Sequence, residues 1–280
     1  PGVKFFNITF LFYTHGDDDD WTTEIGPGNE CFVRIALPAS EKGAKVGPPP
    51  GKRTVAHELT HCLQLWLVPQ QMAGDMRASG LWWIEGSAEY LSNGIYAAET
   101  KMATTIARFD TLSATKPLTQ MDYETFVFFC WYGQANGAAA VIEFWKQMPK
   151  AGGEAEQRAA LVALVGADKL QQFARDYVDG KIKEPKGAYG VGNAKMGDPT
   201  FVEGTTEAMF DAKPFTLMRG LVEFHGGRYS VALTDNEQPT TVFDAGRGGA
   251  WAALPDDIDA PCEAPVRFRY AAFATGGADR

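Results

Sequence analysis

Hydrophobic and polar positions divide the chain into three stretches with different periods. Over residues 1–53 the apolar residues fall in short β-branched and aromatic tracts, 4–13 (KFFNITFLFY) and 31–37 (CFVRIAL). Between them lie an aspartate run at 17–20 and Gly-Pro-Gly-Asn at 26–29, so this stretch predicts strands and turns. From Thr54 the period lengthens to that of a helix. Val55, Leu59, Cys62, Leu63, Leu65 and Trp66 predict a helix that stops before Pro69. Further helices are predicted from near Leu81 (LWWIEGSAEYLSNGI), over 97–112, over 123–148 as one long element, and over 154–165 and 168–178. Small residues at 137–140 predict close packing in the middle of the long one. Residues 185–199 read as a linker, and β patterning returns at 217–224, 228–233, 240–243 and 266–273. Strands at that spacing suggest a small sandwich-like module.

The fold class expected is α+β. A first domain spans residues 1–184, β-rich over 1–53 and helical over 54–184. The linker 185–199 then leads to a C-terminal β-rich module at 200–280.

Charge narrows the function. Twenty-six Lys+Arg against thirty-five Asp+Glu leave a net charge of −9. That sign disfavours nucleic acid and anionic lipid as partners. No stretch approaches the roughly 20 apolar residues of a membrane span. The start, Pro1-Gly2-Val3-Lys4, reads as a processed end with any targeting segment already removed. Four dispersed cysteines, Cys31, Cys62, Cys130 and Cys262, permit two disulfides or four buried thiols. With the tryptophan and glycine content, they lean toward an extracytoplasmic protein, secreted or periplasmic. The aspartates at 17–20 have the chemistry of a calcium ligand set, but read first as a solvated loop.

The chemistry concentrates at His57-Glu58-Leu59-Thr60-His61, which holds two of the four histidines. Residues four apart on a helix share a face about one turn apart, so two imidazoles can converge on one zinc. Glu58 lies about 100° around the same helix, placed to take a proton from water without itself ligating. Catalytic zinc wants a third protein ligand, and Glu85, in the apolar setting WWIEGSAEY, is the candidate. Glu89, four residues further, can accept the free ring N–H of a ligating histidine.

HELTH followed by WIEGSAEY resembles the gluzincin zinc metallopeptidases, which include thermolysin-like proteases and aminopeptidases. These carry H-E-x-x-H on one helix and a glutamate ligand on the next. The resemblance covers roughly residues 57–148. It implies a gluzincin-like catalytic domain with one zinc per chain, His57, His61 and Glu85 as ligands, and Glu58 as general base. Glu89 matches the acidic position that supports a ligand. Tyr132, in Tyr132-Gly133-Gln134-Ala135, matches a tyrosine that stabilises the oxyanion in the aminopeptidase branch. Two features depart from the pattern. Twenty-three residues separate His61 from Glu85, more than in the aminopeptidase branch, and no G-x-M-E-N motif precedes the helix. His225 falls in the β-rich tail and His15 beside the aspartate run, and neither is assigned a role.

The implied activity is hydrolysis of a peptide or protein substrate by a zinc-activated water, with Glu58 moving the proton. The strand of Arg34 and Ile35 is expected at the sheet edge, holding an extended substrate by β-addition. If the helices of His61 and Tyr132 flank one cleft, Cys62 and Cys130 approach each other, and a Cys62–Cys130 bond is weighed against free thiols. Two other readings stand beside the enzyme. One is a zinc-holding but silent binding protein; the other is an extracellular carbohydrate- or protein-binding protein acting through the β module.

Overall fold

The structure is a computed structural model and describes residues 7–15, 21–25, 30–38, 51–73, 79–96, 101–186, 190–191, 194–203, 213–230, 242–244 and 249–275. The aspartates at 17–20 and the turn at 26–29 lie outside these residues. At the N-terminus, β1 (Ile8–His15), β2 (Trp21–Ile25) and β3 (Cys31–Pro38) form a sheet in the order β1-β3-β2. β3 runs parallel to β1 and antiparallel to β2. The strand of Arg34 and Ile35 is therefore central, with both edges already paired, and cannot add a substrate strand. The edge beside the helical body is β2, which the sequence pattern did not single out.

Helix α1 (Lys52–Leu67) lies against this sheet, followed by the one-turn α2 (Pro69–Met72). Cys31 of β3 is disulfide-bonded to Cys62 of α1, with a Cα–Cα distance of 5.7 Å. Neither alternative weighed for Cys62 and Cys130 holds for both: Cys62 is bonded to Cys31, while Cys130 is a buried free thiol and Cys262 an exposed one. Cys62 points toward the sheet while Cys130 belongs to a helix on the far side of α3, and only β3 brings a second sulfur within reach. The bond closes a sequence separation of 31 residues, which the chain-entropy model values at about 4 kcal/mol.

The main core is aromatic. It is built from α3 (Leu81–Ile95), α4 (Lys101–Leu112), α5 (Phe126–Asn136), α6 (Ala138–Gln147), α7 (Glu154–Val165) and α8 (Ala167–Val178). Trp82, Phe128, Phe129, Phe144 and Phe173 pack largely edge to face, the arrangement favoured by ring quadrupoles. The single helix expected over 123–148 is two. Gly137, at φ +85°, ends α5 and starts α6. No atom lies within 4 Å of where its Cβ would stand, so its glycine serves the turn and not close packing. Close approach occurs instead at Gly86 of α3, where a Cβ would lie 2.0 Å from Thr125 Oγ1. The Thr125 hydroxyl there caps the Trp82 carbonyl.

Residues 185–199 are not a free linker throughout. β4 (Ile182–Lys183) pairs with β5 (Gly190–Val191), and Ile182 and Val191 are both fully buried in the main core. Beyond them β6 (Thr200–Glu203), β7 (Leu217–His225), β9 (Val242–Asp244) and β11 (Val266–Phe273) form a sheet ordered β6-β7-β11-β9. β8 (Gly227–Ser230) and β10 (Asp257–Ala260) pair as a second layer. Val202, Val222, Phe224, Ile258, Ala260 and Phe268 fill the space between, which gives the sandwich-like character expected. The near end of the sheet enters the helical core through Phe215, Leu217, Ala271 and Phe273. Gln171 of α8 donates to the Phe273 carbonyl and accepts from its N–H, at 2.6 and 3.0 Å. The α+β class stands.

The Gly86 contact has a measurable consequence. Gly86→Ala should lower stability by about 2 kcal/mol or more, because backbone and hydroxyl have no room to retreat. Urea denaturation measures this, and an unchanged midpoint contradicts the close approach.

Candidate active site

Helix geometry sorts the motif into two faces. Successive helical residues are separated by about 100°, so His57, His61 and Gln64 share one face of α1, while Glu58 and Cys62 share another. The first face meets Glu85 and Glu89 of α3; the second meets the N-terminal sheet. All five of these α1 residues are buried.

On the first face the donor atoms form a small triangle. His57 Nε2 lies 3.0 Å from Glu85 Oε2 and 3.0 Å from His61 Nε2, and His61 Nε2 lies 3.3 Å from the same oxygen. Ligand atoms around a tetrahedral ion with bonds of about 2.0–2.1 Å stand about 3.3–3.4 Å apart. The triangle is within a few tenths of an ångström of that, and the donor set of two imidazoles and a carboxylate suits zinc. These three residues could hold a metal ion.

Each histidine is oriented from behind. His61 Nδ1 is 2.8 Å from Gln64 Oε1. The Gln64 amide is itself oriented, because Nε2 donates to the Ile84 carbonyl at 2.9 Å and to Ser87 Oγ at 3.1 Å. Ser87 in turn accepts from Trp145 Nε1 at 2.8 Å. With Gln64 Oε1 fixed as an acceptor, the neutral form of His61 carries its proton on Nδ1, which leaves the Nε2 lone pair free to bind a metal ion. His57 Nδ1 is buried without a hydrogen bond among the described residues and faces Glu89 Oε1 at 3.6 Å. The other Glu89 oxygen is held by Arg53.

The charges respond to one another. Burial alone would lower His61, but the Glu85 carboxylate overrides it and raises the imidazole to about 9. Burial alone would raise Glu85, but His61 and His57 hold it well below the usual carboxylate range. The cluster therefore wants a positive charge beside Glu85, and either a proton or a metal ion supplies it. Just outside, burial together with the charges of Glu85 and Glu124 pushes Asp122 up to about 6.

Tyr132 is not brought to this site. Its ring stacks on Phe128 and meets Phe144 edge to face, in the aromatic core behind α3. Burial alone raises its hydroxyl, with no contribution from the site carboxylates. The tyrosine at the cluster is Tyr123, whose ring stacks on His57 with centroids 5.8 Å apart. Burial raises Tyr123 well above its ordinary value, and the charges of Glu85, Asp122, Glu58 and Glu89 raise it further. His225 pairs with Glu223 on the C-terminal sheet and takes no part.

Four residues at the site escaped sequence reasoning: Thr23, Arg53, Gln64 and Tyr123. Gln64 carried a signal, since it stands three residues after His61 on the ligand face. Tyr123 carried a weaker one, as a polar-flanked aromatic just before an apolar helix. Thr23 and Arg53 carried none.

A family model described as a family of unknown function (DUF6055) matches residues 47–178. No curated protein and no solved structure matches the chain. The matched segment contains α1 to α8, hence the whole His57–His61–Glu85 cluster, and leaves out the N-terminal and C-terminal sheets.

Gln64→Leu should keep the three donors but lower zinc affinity about 10–100-fold, by freeing the His61 ring. Glu85→Ala should lose most of the bound metal. Competition titration with a chromophoric chelator measures both, and wild-type affinity in Gln64→Leu contradicts the orienting role.

Proposed function

We propose that the chain is a zinc-dependent metallopeptidase that hydrolyses peptide bonds in a peptide or protein substrate. The observation that carries this reading is the convergence of His57 Nε2, His61 Nε2 and Glu85 Oε2 into one triangle, with Glu58 on the neighbouring face of the same helix. The resemblance of HELTH and WIEGSAEY to gluzincins points the same way.

His57, His61 and Glu85 would hold one zinc, which supplies a Lewis acid for polarising water and a scissile carbonyl. Glu58 takes a proton from the attacking water and delivers it to the leaving nitrogen. A buried carboxylate on the ligand helix suits that shuttle; a protein that only stored metal would not need it. Tyr123 replaces Tyr132 as the donor to the oxyanion. A phenol is protonated across the physiological range even at its ordinary value, as a hydrogen-bond donor must be, and the surroundings of Tyr123 push it further the same way. Glu89, clamped by Arg53, backs His57 and keeps its ring facing α3.

An extracytoplasmic location, secreted or periplasmic, belongs to the same proposal. The Cys31–Cys62 bond supports it, since such bonds persist in oxidising compartments. No helix among the described residues is long and apolar enough to cross a membrane.

Turnover of a quenched peptide library tests the assignment. Glu58→Gln should retain about one zinc per chain yet lose turnover by several orders of magnitude. Tyr123→Phe should lower kcat about 100-fold with little change in KM, while Tyr132→Phe stays within about three-fold of wild type. Comparable activity in wild type and Glu58→Gln would falsify the mechanism.

A further inference from the structure

If Glu58 is the base, as proposed above, the direction of its carboxylate matters as much as its presence. Glu58 is buried on the sheet-facing side of α1, away from the residues that orient the histidines. What reaches it there is Thr23 of β2. Thr23 Oγ1 lies 2.7 Å from Glu58 Oε2 and 3.3 Å from the Glu58 carbonyl. A hydroxyl has one proton to donate, so the shorter contact, to the carboxylate, takes it.

The element that carries Thr23 stands apart from the main core. Cys31, Val33 and Cys62 form their own buried group, with Trp66 packed on it, separate from the aromatic cluster of the helices. The disulfide crosses from β3 to α1 inside that group, one residue after His61. Thr23 pairs with Val33 in the β2–β3 register, and Ile25 pairs with Cys31. The hydrogen bond to the base and the covalent bond to the ligand helix are thus two residues apart along one strand pair.

We propose that Thr23 is a positioning residue that aims the Glu58 carboxylate, and that the Cys31–Cys62 disulfide keeps Thr23 within reach of it. The triangle is oriented from the α3 side, through Glu85, Glu89 and the Gln64–Ser87 hydrogen bond, whereas the sheet reaches the other face of α1. Opening the disulfide takes two electrons and two protons and gives two thiols. A phosphine reductant supplies the electrons and leaves as its oxide, its oxygen coming from water. The consequence is a site that keeps its metal but loses the aim of its base.

The test uses the full chain carrying one zinc. Thr23→Val keeps the shape and removes the donor; Thr23→Ser keeps the donor. Thr23→Val should lower kcat about 10–100-fold while KM stays within about two-fold, with zinc content unchanged. It should also move the Glu58 carboxylate resonance in carbon-13 NMR, identified by its loss in Glu58→Gln. Thr23→Ser should restore both readouts. Phosphine reduction of the wild type, or Cys31→Ser/Cys62→Ser, should move the same resonance and speed hydrogen exchange over residues 21–38, with 81–95 still protected. A resonance unmoved in Thr23→Val overturns the positioning role, and one unmoved by reduction overturns the anchor. If the wild type hydrolyses no peptide, the peptidase reading falls by itself, and the resonance still decides for or against Thr23. If the double cysteine variant does not fold, reduction of the folded wild type decides the anchor.

Discussion

Helix α1 meets α3 through ionisable side chains, and the arrangement of the site follows from that contact. His57, His61 and Gln64 on one side face Glu85 and Glu89 on the other, all of them largely removed from water. A carboxylate in such a seam costs several kcal/mol unless a positive charge compensates it. Glu85 lies close to both imidazoles and its charge raises His61, so a proton on that ring can supply the compensation. A divalent ion at the same place would answer the same need more fully. The seam is therefore poorly explained as packing, because apolar residues of similar volume would hold two helices together at less cost.

The surrounding structure keeps this seam fixed. Gly86 lets the chain at Thr125 approach the back of α3, and Ser87 passes a hydrogen-bonded chain from Trp145 to Gln64 and on to His61. Behind these lies the aromatic core, whose interlocked rings leave α3 little freedom to rotate. Glu58, the proposed base, is held differently. It faces a small sheet tied to α1 by one disulfide and a small apolar group, a different part of the fold from the α3 side that orients the histidines.

Much of this was legible in the sequence where spacing alone determines geometry. The i, i+4 histidines, the adjacent glutamate and a carboxylate amid tryptophans define a helix face, and the structure brings His57, His61, Glu85 and Glu89 together. What failed depended on tertiary approach. Tyr132 has the right local context but lies on a helix face turned to Phe128 and Phe144, while Tyr123, in a short turn before α5, reaches His57. Cys62 pairs with a residue 31 positions earlier, through a strand order that no local pattern encodes. The break at Gly137 was visible as a glycine, yet its positive φ and not its small size is what the chain uses. β2 is short and polar, so its edge position and the reach of Thr23 to Glu58 appear only once β3 is seen to be central.

X-ray absorption at the zinc edge of the loaded chain tests directly whether His57, His61 and Glu85 hold the ion. Such a site gives two imidazole nitrogens and light oxygen or nitrogen neighbours at about 2.0–2.1 Å, with no sulfur, and loses one imidazole contribution in His61→Ala. A sulfur neighbour at about 2.3 Å, or a spectrum without imidazole scattering, would place the metal elsewhere and contradict that assignment.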